Sequence, residues 1–65
     1  MSEFIEFLEK ESKAFVLVRR SLISIVQEAS DEDDRPFTVI NTEHGEYETW
    51  ELYMDIKAKL IGEAE

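Results

Sequence analysis

The sequence predicts an α+β fold, with a small antiparallel sheet of four or five strands and one C-terminal helix, in a single domain over residues 1–65. Short runs of β-branched and aromatic residues, separated by turn residues, fill most of the chain and are typical of strands. The last part instead carries apolar residues at helical spacing. A chain of 65 residues is too short for a second domain.

The opening segment, Phe4–Leu8, fits either a short helix or a strand. In a helix its four apolar residues would share one face, whereas in a strand they would divide between two faces. Periodicity by itself therefore favours the helix by a small margin.

The next two segments are predicted to be strands. "AFVLV", residues 14–18, is a short apolar run typical of a strand buried on both faces. "LISIV", residues 22–26, resumes the pattern after Arg19, Arg20 and Ser21. We therefore expect two strands, or one long strand bent at this interruption. We expect one of the arginines to pair with an acid and the other to reach solvent.

An acidic run, "SDEDDRPF" over residues 30–37, follows these strands. A calcium loop needs spaced oxygen ligands and a glycine for its sharp turn, and this run has neither. We therefore predict no metal site and favour a solvated loop whose charges keep it out of the sheet. Partner binding or phosphate mimicry is the alternative. Pro36 then begins a new strand, at a position where a missing N–H is tolerated.

"FTVINTEHGEYETW", residues 37–50, is predicted to form a hairpin with His44 and Gly45 at its tip. Gly45 provides the positive φ that a tight turn requires. This turn would place Thr42 opposite Tyr47 and Val39 opposite Trp50.

"WELYMDIKAKLIG", residues 50–62, is predicted to be the helix, with Thr49 as its N-cap and Gly62 as its end. Its apolar residues form two adjacent lines, one of Leu52, Tyr53, Ile56 and Leu60, the other of Met54, Ala58 and Ile61. One small sheet covers such a wide face poorly. Together with the doubly apolar "AFVLV", this predicts a homo-oligomer.

The order of these elements resembles that of FlbD-like flagellar regulatory proteins and similar short bacterial and phage proteins. The resemblance spans "FIEFLEKESKAFVLVRRSLISIVQEA" and "FTVINTEHGEYETWELYMDIKAKL", and rests on hydrophobic pattern and one turn glycine. The matching positions are Leu22, Ile23, Ile25, Val39, Ile40, Gly45 and residues 50–60. The chain departs from the family in its first turn, where Glu11, Ser12 and Lys13 replace a glycine, and in its longer acidic loop. The resemblance implies a strand at Phe4–Leu8, which we adopt, and no catalytic residues.

Composition excludes several classes of function. The net charge of −9, from 16 acids and 7 bases, repels nucleic acid and anionic membranes and favours a protein partner with a basic face. The absence of cysteine excludes disulfides and thiolate metal sites. No apolar run is long enough to span a membrane, and the acidic start is unlike a signal peptide, so we expect a cytoplasmic protein.

No catalytic constellation accompanies His44, Ser21 or Ser24, so we predict neither an enzyme nor a cofactor. The leading hypothesis is a small acidic interaction protein that self-associates and binds or regulates another protein. The alternative is an acidic decoy, encoded by a phage, that mimics nucleic-acid phosphate and inhibits a nucleic-acid-binding enzyme. The candidate partner-binding residues are Asp31, Glu32, Asp33, Asp34 and Trp50.

Overall fold

The computed structural model describes residues 3–61 and confirms the α+β class. The strands are β1 (Phe4–Leu8), β2 (Phe15–Arg19), β3 (Ile23–Ser30), β4 (Pro36–Thr42) and β5 (Gly45–Thr49), and the helix is α1 (Tyr53–Ile61). The prediction of one four- or five-stranded sheet is wrong. The strands form two antiparallel sheets, one of β1 and β2, the other in the order β3-β4-β5.

The two sheets meet at one point rather than along a full ladder. Glu9 forms an isolated bridge with Thr49, and the Lys10 N–H donates to the Glu48 carbonyl at 2.7 Å. From Leu8 back to Phe4, no described strand pairs with the edge of β1 that faces away from β2, because β5 ends at Thr49. The helix supplies a substitute, because Lys59 Nζ donates to the Glu6 carbonyl at 2.6 Å.

The structure resolves the ambiguity of the first segment in favour of a strand. β1 pairs with β2 along its whole length, from Phe4 opposite Arg19 to Leu8 opposite Phe15. This pairing turns Ile5 and Phe7 into the core and their neighbours outward. The pairing with β2 decides between strand and helix for this segment. The spacing of apolar residues within the segment carries no information about that pairing.

The β1–β2 turn achieves without glycine a backbone shape that glycine favours. Lys13 lies at φ 61, in the left-handed region, and its N–H donates to the Glu9 carbonyl at 2.9 Å. The Glu9 carboxylate accepts the Ser12 N–H at 2.8 Å. Hydrogen bonds from the backbone and side chain of Ser12 hold the pKa of Glu9 below its usual value.

The interruption after β2 is a turn of 3₁₀ helix, Arg20–Leu22, which separates two distinct strands. Arg19 pairs with Glu3 at 3.1 Å, as one of the two arginines was expected to do. The expectation that the other reaches solvent is wrong. The Arg20 guanidinium is partly buried and donates to the Leu60 carbonyl, so it ties this turn to the end of the helix.

The β4–β5 hairpin forms with its turn one residue earlier than predicted, so every cross-strand partner shifts by two residues and Val39 lies opposite Glu48 instead of Trp50. Its two-residue turn is Glu43 and His44, because Thr42 already pairs with Gly45. Ile40 consequently lies opposite Tyr47, and the predicted pair of Thr42 with Tyr47 is wrong. Gly45 keeps the predicted positive φ, at 136°, but as the first residue of β5.

The helix begins at Tyr53, so the prediction of Thr49 as its N-cap is wrong. Thr49 belongs to β5, where its buried Oγ1 accepts the Glu51 N–H at 3.2 Å. The predicted stop at Gly62 lies outside the described residues. Ile56 is fully buried, whereas Met54 in the second apolar line is 76% exposed. The central core cluster comprises Ile5, Phe7, Val18, Ile40 and Ile56, with Val16, Ile23, Val26, Tyr47 and Leu60 packed against it.

Candidate interaction surface

The outer face of the β1–β2 sheet is exposed and mostly apolar, with the carboxylate of Glu6 opposite Leu17. We call it the hairpin face, formed by Phe4, Leu8, Phe15 and Leu17. Phe15 is 71% exposed and Leu17 is 63% exposed, so the expectation that β2 is buried on both faces is wrong for the single chain. The opposite face of β2 faces the core, where Val18 is buried. Large exposed apolar surfaces on soluble proteins mark interaction sites.

β2 also has an unpaired edge within the part of the chain that the structure describes, because it is the last strand of its sheet. The Glu9 N–H donates to the Ala14 carbonyl and the Arg20 N–H donates to the Glu3 carbonyl. These two bonds show which residues of β1 and β2 are bonded to each other across the ladder. In an antiparallel ladder only alternate residues bond to the neighbour. The backbone N–H and C=O groups of Phe15, Leu17 and Arg19 therefore point away from β1.

A groove of about 300 Å³ lies between β2 and the turn end of the β4–β5 hairpin. Its lining residues are Phe4, Val16, Leu17, Val18, Arg19, Leu22, Thr42, His44 and Tyr47. Most of these side chains are apolar, which suits an apolar side chain of a partner. His44 is an exposed turn residue whose N–H donates to Thr42 Oγ1 at 3.0 Å.

The surroundings of β2 differ in charge from the rest of the chain. Residues 12–27 contain no acid, although the chain has 16 acids in 65 residues. The same stretch contains Lys13, Arg19 and Arg20. The Arg19 guanidinium lies over the Phe4 ring at 5.0 Å, so this cation covers part of the hairpin face. The exposed apolar strand is thus the least acidic part of the sequence.

Trp50 lies in a second, smaller cluster on the other side of the three-stranded sheet from the core. It contacts the Phe37 ring edge-on at a centroid distance of 5.9 Å. Lys10 Nζ lies 4.8 Å from the Phe37 ring centre and 5.0 Å from the Trp50 ring centre. The Arg35 guanidinium carbon, Cζ, lies 3.9 Å from the Trp50 ring centre. Two cations thus cover this tryptophan, which leaves it half-buried rather than presented as an open anchor.

The acidic loop joins this cluster through Arg35 and not through its carboxylates. Asp31 Oδ1 accepts the backbone N–H groups of Asp33 and Arg35, each at 2.9 Å. Asp34 adopts φ 63, in the left-handed region that Asp tolerates better than most residues. Glu32, Asp33 and Asp34 are exposed. The contact between this loop and Trp50 is therefore made by Arg35, and Asp31 has a local structural role.

Asp31→Ala is expected to lower the free energy of unfolding by about 1 kcal/mol, because two backbone N–H groups lose a charged acceptor in the loop. Glu32→Ala, in the same loop, is expected to change it by less than about 0.5 kcal/mol. Urea denaturation followed by tryptophan fluorescence measures both variants. Equal effects of the two substitutions would show that the Asp31 contacts do not stabilise the loop.

Nowhere within residues 3–61 do three His, Asp or Glu side chains converge so as to hold a metal ion. The Ser24 hydroxyl donates to the Asn41 carbonyl at 3.3 Å, and the His44 N–H donates to Thr42 Oγ1 at 3.0 Å. Within the described part of the chain, the one helix is too short to cross a lipid bilayer.

Comparison with known proteins adds no assignment. No protein-family model matches the chain, and neither a curated protein nor a solved structure is significantly similar to it.

The residues of the hairpin face were not among the predicted partner-binding residues, although the apolar character of both faces of "AFVLV" contributed to the prediction of a homo-oligomer. Phe15 and Leu17 alternate with Val16 and Val18, so both faces of the strand are apolar. Only one helix was predicted, and it covers one face of a sheet. Which face it leaves exposed depends on the tertiary arrangement.

Proposed function

We propose that this chain is a non-enzymatic interaction protein that self-associates and binds or regulates another protein. The observation that carries the proposal is the hairpin face, where two large side chains of one strand, Phe15 and Leu17, are mostly exposed. Full burial of such a side chain contributes about 1.5–3 kcal/mol. Covering this face therefore provides a substantial driving force for association.

The small size of the chain strengthens this argument. A 65-residue domain without cysteine has a thin core and no disulfide to reinforce it. Burial against a second chain is one of the few remaining sources of stability for a domain of this size. The resemblance to FlbD-like regulatory proteins supports a regulatory role but names no partner.

Sedimentation equilibrium at micromolar concentration tests the self-association. We expect a mass above 7.6 kDa for the wild type, rising with concentration. Phe15→Ser is expected to shift the mass toward that of one chain, because it removes the most exposed ring of the hairpin face. Met54→Ser, which changes an equally exposed side chain on the helix, is the matched control and is expected to leave the mass unchanged. A wild-type mass that stays at 7.6 kDa would refute self-association.

The decoy hypothesis has less support from the geometry. Several acids make contacts within the chain, including the pair of Glu51 with Lys59 at 2.8 Å and the loop contacts of Asp31. Salt separates the two hypotheses once a partner is known. Binding by a decoy weakens steeply as salt rises, whereas binding through the apolar hairpin face changes little.

A further inference from the structure

We propose that two copies of this chain pair through the unpaired edges of β2, antiparallel and related by a two-fold axis at Leu17. The two β1–β2 sheets then become one four-stranded sheet in the order β1-β2-β2-β1. This inference rests on the proposed self-association and specifies where it occurs. It sets the hairpin faces of both copies side by side on one surface, so that Phe15 and Leu17 are partly covered by the other copy where the two strands meet. The remainder of the combined face stays available to a further partner.

The backbone of β2 is arranged for this pairing. Phe15, Leu17 and Arg19 direct their N–H and C=O groups outward, as the phase of the β1–β2 ladder requires. An axis at Leu17 places it opposite Leu17 of the partner subunit, and Phe15 opposite the partner subunit's Arg19. Each of these is a pair that exchanges two hydrogen bonds, because all the residues involved have outward-facing groups. The β2 edges of two copies can therefore form all of these hydrogen bonds with each other when Leu17 lies on the axis.

Charge favours this edge over other surfaces of the molecule. Each copy carries a net charge of −9, so most approaches of two copies bring carboxylates together. The stretch over residues 12–27 has no acid and includes all of β2. Pairing at this edge therefore brings the two chains together with the least repulsion between carboxylates.

Side chains on both faces of the new pair are compatible with it. On the outer face, Arg19 already lies over the Phe4 ring at 5.0 Å. Phe15 of the partner subunit would approach the same guanidinium from the other side, which is a favourable contact for a cation. On the inner face, Val16 would lie opposite the partner subunit's Val18, next to the 300 Å³ groove. Both faces thus gain apolar contacts.

Cross-linking at the proposed axis tests the geometry directly. The chain has no cysteine, so Leu17→Cys introduces a single thiol. Directly opposed residues that exchange two hydrogen bonds have Cα atoms about 5.5 Å apart, within the range that a disulfide spans. Gln27→Cys, on the exposed part of β3 at the edge of the other sheet, is the matched control. Under mild oxidation we expect Leu17→Cys to form a covalent dimer at least about tenfold faster than the control, because proximity raises the effective concentration of the second thiol.

Hydrogen exchange of the wild-type protein gives a second measurement that needs no variant. The Leu17 amide is expected to exchange at least about tenfold more slowly at a concentration where the dimer forms than at one where it does not. The Val16 amide bonds to β1 within the chain and serves as the internal control, with protection at both concentrations. The two amides are adjacent in sequence, but the Leu17 N–H points away from β1 and the Val16 N–H points toward it. A concentration dependence at Leu17 and not at Val16 therefore reports pairing at the outer edge of β2.

The outcomes separate this inference from the proposed function. If the mass rises with concentration but Leu17→Cys cross-links no faster than Gln27→Cys, and Leu17 exchange does not depend on concentration, the edge pairing is wrong and association uses another surface. If the wild type stays at 7.6 kDa, self-association and the edge pairing both fail. Rapid cross-linking at Leu17 together with concentration-dependent protection of its amide supports the inference.

Discussion

Phe7→Ala is expected to lower the free energy of unfolding by about 3–5 kcal/mol. Phe7 is 1% exposed, packs edge-on against Tyr47 at 6.1 Å, and connects the two-stranded sheet to the three-stranded one. Truncating a buried phenylalanine costs about 3–5 kcal/mol, because transfer energy is lost and a cavity remains. A domain of 65 residues has a total stability of only about 3–10 kcal/mol at the usual value per residue. The substitution therefore removes a large share of that stability.

Phe15→Ala is the matched control for this prediction. It makes the same chemical change in the same pair of strands, but on the exposed hairpin face. We expect a change of less than about 0.5 kcal/mol in urea denaturation, measured at a concentration low enough to avoid association. If Phe7→Ala proved as mild as Phe15→Ala, the packing between the two sheets would not be what holds the fold together.

Gly45→Val is expected to lower the free energy of unfolding by roughly 1–3 kcal/mol. Gly45 lies at φ 136, a backbone conformation that a β-branched residue rarely adopts. A Cβ at this position would meet no atom within 4 Å, so the effect comes from backbone strain and not from a steric clash. Residue 45 is the first residue of β5, which pairs with β4 along its length. Backbone strain at this residue therefore weakens the pairing of β4 with β5.

Glu46→Val places the same side chain one residue further along β5. Glu46 is exposed, pairs with Asn41 and is not among the residues with positive φ. Valine is favoured in strands, so we expect no loss of stability at this position. Comparison of the two melting temperatures isolates the effect of the positive φ. Equal melting temperatures would show that the turn tolerates a side chain at Gly45.

No residue of the hairpin face was among the predicted partner-binding residues, and partner binding by the acidic loop and Trp50 stays a prediction. The acidic loop and Trp50 were singled out because of charge and residue type, and they are neighbours through Arg35. The sequence could not show that Lys10, from the β1–β2 turn, also covers Trp50, because this contact joins residues 40 positions apart. Nor could it show that Phe15 and Leu17 remain exposed, since exposure depends on where the helix packs.

The sequence by itself determined the elements whose signals are local. The strands predicted at residues 14–18 and 22–26 were found at Phe15–Arg19 and Ile23–Ser30. These strands, the positive φ of Gly45 and the C-terminal helix all follow from side-chain type and spacing over a few residues. The net charge and the absence of cysteine also follow directly from composition.

Only the tertiary structure decided the rest. Phe4–Leu8 became a strand because β2 pairs with it, and Thr49 joined β5 because it pairs with Thr38 of β4. The division into two sheets follows from the early end of β5 and from Lys59, which occupies the outer edge of β1. Each of these outcomes depends on contacts between distant parts of the chain, and such contacts leave no periodic signal in the local sequence.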